Sequence, residues 1–196
     1  MTMEILFALI SFAFVSSITP GPNNIMLMTS GANFGFKKTV PHMLGVGIGF
    51  VIMVILVGIG IMQIFELVPV TYQILKVASI VYLLYLAYRI ATSAKLKNEE
   101  VKTARPLTFL QAALFQWVNP KAWTMALMSI TLYAPGQELY LVLIVALVFG
   151  AINLPCVLTW VMLGKSMTRV LKQERSLHIF NIVMALLLVA SVVLVI

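Results

Sequence analysis

Six apolar stretches, each about as long as a membrane-crossing helix, fill most of this chain and leave it few folds to choose from. A helix needs about 20 apolar residues to cross the hydrocarbon core. Such runs extend from Ile5 to Gly31, Thr39 to Gln63, Tyr72 to Ala94, Leu107 to Ala134, Leu139 to Gly164 and His178 to Ile196. Inside a bilayer every backbone N–H and C=O must be satisfied within the protein, so only helices and closed barrels can span it. Barrel strands alternate lipid-facing and lumen-facing residues, whereas these runs are continuously apolar. The sequence therefore predicts an all-α integral membrane protein with six transmembrane helices, forming one transmembrane domain over residues 1–196. The first run reads as a retained span rather than a signal peptide. The N-terminus has no basic n-region, with Glu4 its only charge, and no small-x-small cleavage pattern precedes the next loop.

Composition excludes the soluble alternatives. The chain is 62% hydrophobic and 10% charged, with six glutamates, no aspartate and 13 Lys plus Arg. That is too little charge to cover a water-soluble globule. The net charge of +7 does not point to nucleic acid, because the cations sit in short loops rather than along a groove with stacking aromatics. Lys37 and Lys38 separate the first two runs. Arg89, Lys95, Lys97, Lys102 and Arg105 surround the junction of the third and fourth, and Lys165, Arg169, Lys172 and Arg175 that of the fifth and sixth. The opposite loops hold Glu66 and Glu138. Cytoplasmic loops carry the excess of Lys and Arg, so six spans put both termini on the outer side.

The long polar linker at residues 95–106 separates a first half, about 1–94, from a second, about 107–196. Three spans in each half reverse the orientation of one relative to the other, so the expected architecture is two inverted three-helix repeats with spans one and four broken. Thr19-Pro20-Gly21-Pro22-Asn23-Asn24 interrupts the first span, and Asn119-Pro120-Lys121-Ala122-Trp123 interrupts the fourth about 100 residues later. Each interruption falls near the middle of its span. Paired Gly/Pro breaks at matching positions mark a transporter's binding site, although proline also occurs as a plain kink in membrane helices.

Proline suits the first position of a helix and asparagine its cap, so half-helices should begin at Pro22 and Pro120, with Gly21 as the flexible joint. Helix N-termini present unpaired N–H groups and a positive dipole end. In inverted halves both ends face the bilayer centre, where they suit a carboxylate. Lys121 adds a cation at a depth where it costs at least about 2.5–3.5 kcal/mol, with no mid-membrane glutamate beside it, which favours function over snorkelling. The candidate substrate-binding residues are Pro20, Gly21, Pro22, Asn23, Asn24, Asn119, Pro120, Lys121, Ala122, Trp123 and Asn153. Asn153-Leu154-Pro155 reads as a third local break. Lys121 and His42 are the candidates for proton coupling, with a structural or interfacial role the alternative for His42. Gly45, Gly47 and Gly49 read as helix-packing contacts rather than a phosphate loop. The chain has no cluster of metal-ligating residues, only the single Cys156, and no protease motif. Neither a metal, a cofactor nor catalysis is expected.

These motifs resemble a known family. The Thr19–Asn24 run TPGPNN, with Ile25–Gly31 and the Gly35-Phe36-Lys37 loop, is similar to the N-terminal signature of the LysE/RhtB amino-acid exporters. Asn119-Pro120-Lys121 matches that family's second signature, and the Asn153-x-Pro155, Trp160 and Asn181 regions fit it. The Pro-Asn-Asn form most resembles the branch containing the cysteine/O-acetylserine exporter. The resemblance implies a secondary exporter of small neutral amino acids or derivatives (cysteine/O-acetylserine, homoserine/threonine or similar) in the bacterial inner membrane, driven by the proton gradient. Its implied partners are the small amino acid, protons and the lipid bilayer, with room for a homo-oligomer. Two alternatives stand beside it: an exporter of another small solute or ion on the same scaffold, and a non-transporting membrane assembly or scaffold protein. The transporter reading predicts that single cysteines at Asn23 and Ala122 react with water-borne thiol reagents from either face of the membrane. A scaffold predicts no such access.

Overall fold

The computed structural model describes residues 1–61, 67–68, 70–93, 105–168, 171 and 173–193. Glu66, Lys95, Lys97, Lys102, Arg169, Lys172 and most of the 95–106 linker lie outside the described residues, as do the expected span ends Gln63, Ala94 and Ile196. Among the described residues the chain is helical, without a strand. In chain order the elements are α1 (Met3–Ile18), α2 (Pro22–Phe34), α3 (Phe36–Gly58), α4 (Val70–Thr92), α5 (Phe109–Phe115), a 3₁₀ turn (Gln116–Val118), α6 (Pro120–Tyr133), α7 (Leu139–Met167) and α8 (Glu174–Val193). Four of these, α3, α4, α7 and α8, are long and apolar enough to cross a membrane. The pair α1 and α2 makes a fifth candidate, bent by 54°. The expected fourth span is in two pieces, α5 with its 3₁₀ turn and then α6.

Prolines break this chain only where local chemistry helps them. Pro20 and Pro22 remove two donors within three residues, and Pro20 holds the preceding Thr19 extended at φ −66°, ψ 147°. Asn119, before Pro120, is extended at φ −98°, ψ 107°. Pro41 and Pro155, by contrast, sit on exposed faces inside α3 and α7, and both helices run through them. The third break expected at Asn153-Leu154-Pro155 therefore does not form. One proline removes a single N–H, and a ring directed away from the bundle leaves the rest of the ladder standing.

Packing explains most of the glycines. The helix α7 lies against α1 and α2, α3 lies against α5 and α6, α3 and α7 pack on each other, and α4 packs on α8. At the α2–α7 crossing a Cβ on Gly164 would run into the carbonyl oxygen of Met28, and one on Gly31 into that of Val161. At the α3–α5 crossing a Cβ on Gly45 would strike the carbonyl oxygen of Phe109, and one on Gly49 would lie 2.6 Å from the Cα of Ala113. Backbones this close need small residues at the contact, as the Gly45 and Gly49 spacing predicts.

The apolar interior falls into two clusters. One gathers α2, α4, α5, α8 and the C-terminal half of α7, around Leu27, Leu83, Phe115 and Val161. The other gathers α1, α6, the C-terminal half of α3 and the N-terminal half of α7, around Leu9, Met53, Ala126 and Phe149. Between them, at the helix breaks, lie buried polar side chains: Ser17, Asn24, Gln116, Asn119 and Asn153. At one end of the bundle Asn33, Arg89 and Arg105 line a common cavity. Gly31 backs onto α7 at the same end, where a Cβ would lie 3.2 Å from the Lys165 amide nitrogen. Arg89 and Arg105, from one predicted cytoplasmic junction, thus share a cavity, and Lys165 of another lies on the stretch of α7 behind Gly31. Replacing Gly164 by alanine should cost about 1–3 kcal/mol of unfolding free energy in detergent, because the obstacle is backbone. Gly136→Ala, where the nearest atom is Glu138 Cγ at 3.9 Å, should leave the unfolding transition where it is.

Candidate functional site

A helix that stops in mid-bundle leaves carbonyls without donors, and the end of α1 accounts for each of them. The Val15 carbonyl accepts from the Thr19 N–H at 3.2 Å. The Ser16 carbonyl accepts from the Thr19 hydroxyl at 3.1 Å. Asn24 Nδ2 donates to both the Ser17 and Thr19 carbonyls at 2.8 Å. Trp160 Nε1, from α7, donates to the Ile18 carbonyl at 3.1 Å. The Lys121 ammonium donates to the Thr19 carbonyl at 2.7 Å, the Thr19 hydroxyl at 2.9 Å and the Pro20 carbonyl at 3.2 Å. A cation on a helix C-terminus also meets the negative end of the dipole. Gly21 makes room for it: its backbone is extended, a conformation open to any residue, but a Cβ there would lie 2.6 Å from Lys121 Cδ. Gly21, expected from sequence as the flexible joint, thus also leaves passage for a side chain.

The donor ends of the breaks are left in the opposite condition. In α2, Pro22 has no N–H and the Ile25 N–H reaches the Gly21 carbonyl at 2.9 Å, so the Asn23 and Asn24 amides have no intrahelical acceptor. In α6, Asn119 Oδ1 caps the Lys121 N–H at 3.2 Å and the Asn119 carbonyl takes that of Trp123 at 3.2 Å, leaving Ala122 in the same position. The two breaks are tied together by an amide pair. Asn23 Nδ2 donates to Gln116 Oε1 at 2.8 Å and Gln116 Nε2 donates to Asn23 Oδ1 at 3.2 Å. Gln116 also donates to the Ala112 carbonyl at 2.9 Å, which fixes it on α5. The helix α5 is itself pinned by a capping box between Thr108 and Gln111.

Most of the residues expected from sequence meet around one small cavity: Gly21, Asn23, Asn24, Asn119, Lys121, Ala122 and Asn153 line it. Pro20 contributes its carbonyl to Lys121, while Pro22 and Pro120 act as first helical residues. Asn153 Nδ2 donates to Ser17 Oγ at 3.1 Å, but its buried Oδ1 has no partner among the described residues. The free space is about 20 Å³, room for a water molecule rather than an amino acid, so the breaks are closed on each other in this conformation. Trp123 is not part of this wall. Its Nε1 donates to the Trp117 carbonyl at 2.8 Å, and the two indoles stack edge to face beside an apolar gap against α4. His42 lies elsewhere, on α3 beside a second cavity. Ser16, Ser17, Phe50, Met125 and Val157 complete the lining and were not expected. Only the serines carry a sequence signal, as hydroxyls one turn before the first break.

The chain matches the LysE type translocator family over residues 14–196. It is 30% identical over 192 residues, 96% of each chain, to the cysteine/O-acetylserine efflux proteins of Escherichia coli O9:H4 (strain HS), Escherichia coli (strain K12) and Shigella sonnei (strain Ss046). No solved structure matches it. A chain matched over nearly its whole length, with both signature motifs converging on one buried polar layer, belongs to the LysE-type translocators.

Proposed function

We infer that this protein exports small neutral amino acids, or close derivatives such as O-acetylserine, across the bacterial inner membrane by alternating access. The observation that carries this reading is the imbalance at the breaks. Every carbonyl at the end of α1 is taken, while three amides without an intrahelical acceptor and one unpartnered, buried amide oxygen belong to residues that line one cavity. A zwitterion has the complementary pattern. Its carboxylate would take the N–H groups of Asn23, Asn24 and Ala122, with the Lys121 charge nearby, and its ammonium would donate to Asn153 Oδ1. The carbonyls freed at the end of α1 are not available for this, since side chains already fill them. An inorganic anion would use the amides but leave Asn153 Oδ1 unpaired, a cost of about 1–3 kcal/mol. The names of the relatives, cysteine/O-acetylserine efflux proteins, support the choice of substrate class.

The inverted-repeat mechanism has support in the packing. Exchanging α1–α4 with α5–α8 maps α1 on α7 to α5 on α3, maps α2 on α7 to α6 on α3, and leaves α3 on α7 and α4 on α8 unchanged. Two such halves, rocking about the α3–α7 contact, would open the cavity to one side and then the other. In this reading the cation-bearing end faces the cytoplasm. Lys121 is the titratable side chain on the cavity wall and so the coupling residue of choice. His42 lies outside that wall.

Everted membrane vesicles measure this directly. Uptake of labelled O-acetyl-L-serine should collapse when a protonophore removes the gradient, and should be abolished in Lys121→Ala with membrane insertion intact. Full uptake in that variant removes Lys121 from the mechanism. Asn153→Ala should lower uptake about tenfold or more, the cost of a lost charged hydrogen bond, while changing stability by no more than about 1 kcal/mol. A variant that unfolds but transports normally would mean that Asn153 serves the fold instead.

A further inference from the structure

A second cavity, about 200 Å³ and so roughly ten times the size of the one at the breaks, opens at the cation-bearing end of the bundle. Its wall includes Met26, Thr29, Ser30 and Asn33 of α2, at the spacing of one helix face. Opposite them stand Arg89 near the end of α4 and Arg105 ahead of α5, and no carboxylate lines the cavity among the described residues. His42 is also on the wall, 2% exposed, with neither ring nitrogen bonded to any described partner. Most other polar groups nearby are engaged. Thr29 donates to the Ile25 carbonyl and Ser30 shares a hydrogen bond with Thr39. Asn33 and Asn181 form an amide pair, which Ser93 extends. Arg89 also lies over the Tyr85 ring, 6.0 Å from its centroid, and both His42 nitrogens are closed to solvent in this conformation, so the groups a solute would recruit are two guanidiniums and, once the wall opens beside it, one imidazole.

We propose that this cavity is a second solute site on the cytoplasmic approach, holding the substrate's carboxylate on Arg89 and Arg105 and its ammonium on the imidazole of His42. The planar guanidinium fork matches a carboxylate, and a neutral imidazole has an acceptor nitrogen for an ammonium. Position supports the assignment. Seven residues of α2 separate Asn23 in the first cavity from Ser30 in the second, about 10 Å along the axis, with Met26 between them. The substrate would move along one helix face, from the arginines past Met26 to the open amides at its N-terminus. This inference rests on the exporter reading for its direction and its substrate.

Thiol protection tests it without requiring transport. Thr92 lines the cavity and its hydroxyl bonds only to carbonyls of its own helix, so Thr92→Cys in a Cys156→Ala background puts a reporter on the wall. A membrane-impermeant maleimide should label it in everted vesicles and not in right-side-out ones. O-acetyl-L-serine should slow the labelling, and its methyl ester, which has no carboxylate, should not. Arg89→Gln with Arg105→Gln should weaken protection about tenfold or more, as should His42→Leu, each measured against that variant's own labelling rate without solute. Protection should persist in Asn153→Ala, whose defect lies at the breaks. No protection in the parent, or protection lost in Asn153→Ala and kept in the arginine variant, overturns the proposal even if transport is intact. So does protection by added phosphatidylglycerol in place of the solute, which would assign the arginines to a lipid phosphate. Protection without any transport of O-acetyl-L-serine would instead defeat the exporter reading and leave the site standing.

Discussion

A broken helix inside an apolar bundle is tolerable only if its loose carbonyls find donors, and here that requirement organises the centre of the molecule. Two prolines in three residues end α1 at Ile18, and the donors that answer come from three other places in the chain: Asn24 on α2, Trp160 on α7 and Lys121 on α6. The Lys121 bonds join positions more than 100 residues apart and tie the two breaks to each other. They also give the Lys121 ammonium its partners where no carboxylate among the described residues meets it. Its charge is spread over two carbonyls and a hydroxyl at the negative end of a helix.

The same arrangement makes the centre chemically one-sided. Carbonyls are consumed by protein donors, whereas the Asn23, Asn24 and Ala122 amides have no intrahelical acceptor and the Asn153 oxygen has no partner among the described residues. Apolar clusters lie on either side of this layer, so the buried groups of Asn24, Gln116, Asn119 and Asn153 act with little screening from water, whereas the Lys121 bonds to Thr19 and Pro20 are exposed. The close helix crossings at Gly31–Gly164 and Gly45–Gly49 hold the layer in register, since backbones in contact allow little sliding. The helix α2 is common to both cavities. It presents its N-terminus to the one at the breaks and its Met26–Asn33 face to the one beneath the arginines.

Much of this was legible in the sequence because membranes make the code simple. Continuous apolar length located the long helices, and the paired interruptions at Pro20–Pro22 and Pro120 located the two helix breaks and the candidate site between them. Lys121 stood out by its cost. What was not legible depends on direction and distance. Nothing local says that Lys121 points at the Thr19 and Pro20 carbonyls, that Gln116 meets Asn23, or that Trp160 reaches Ile18. Pro155 looked like a third break because sequence does not reveal which face of α7 is exposed. The position of His42 on a cavity wall follows from α2, α3 and α4 meeting, which no periodicity encodes.

The claim at the centre of this account is that the amides opening α2 and α6 hold the carboxylate of the transported solute. Nitrogen-15 chemical shifts of Asn23, Asn24 and Ala122 in lipid nanodiscs, followed during titration with O-acetyl-L-serine, test it most directly. These three amide resonances should move together and saturably toward the values of strongly hydrogen-bonded groups, and the methyl ester should move none of them. Saturable binding that shifts other residues and leaves all three amides unchanged would contradict it.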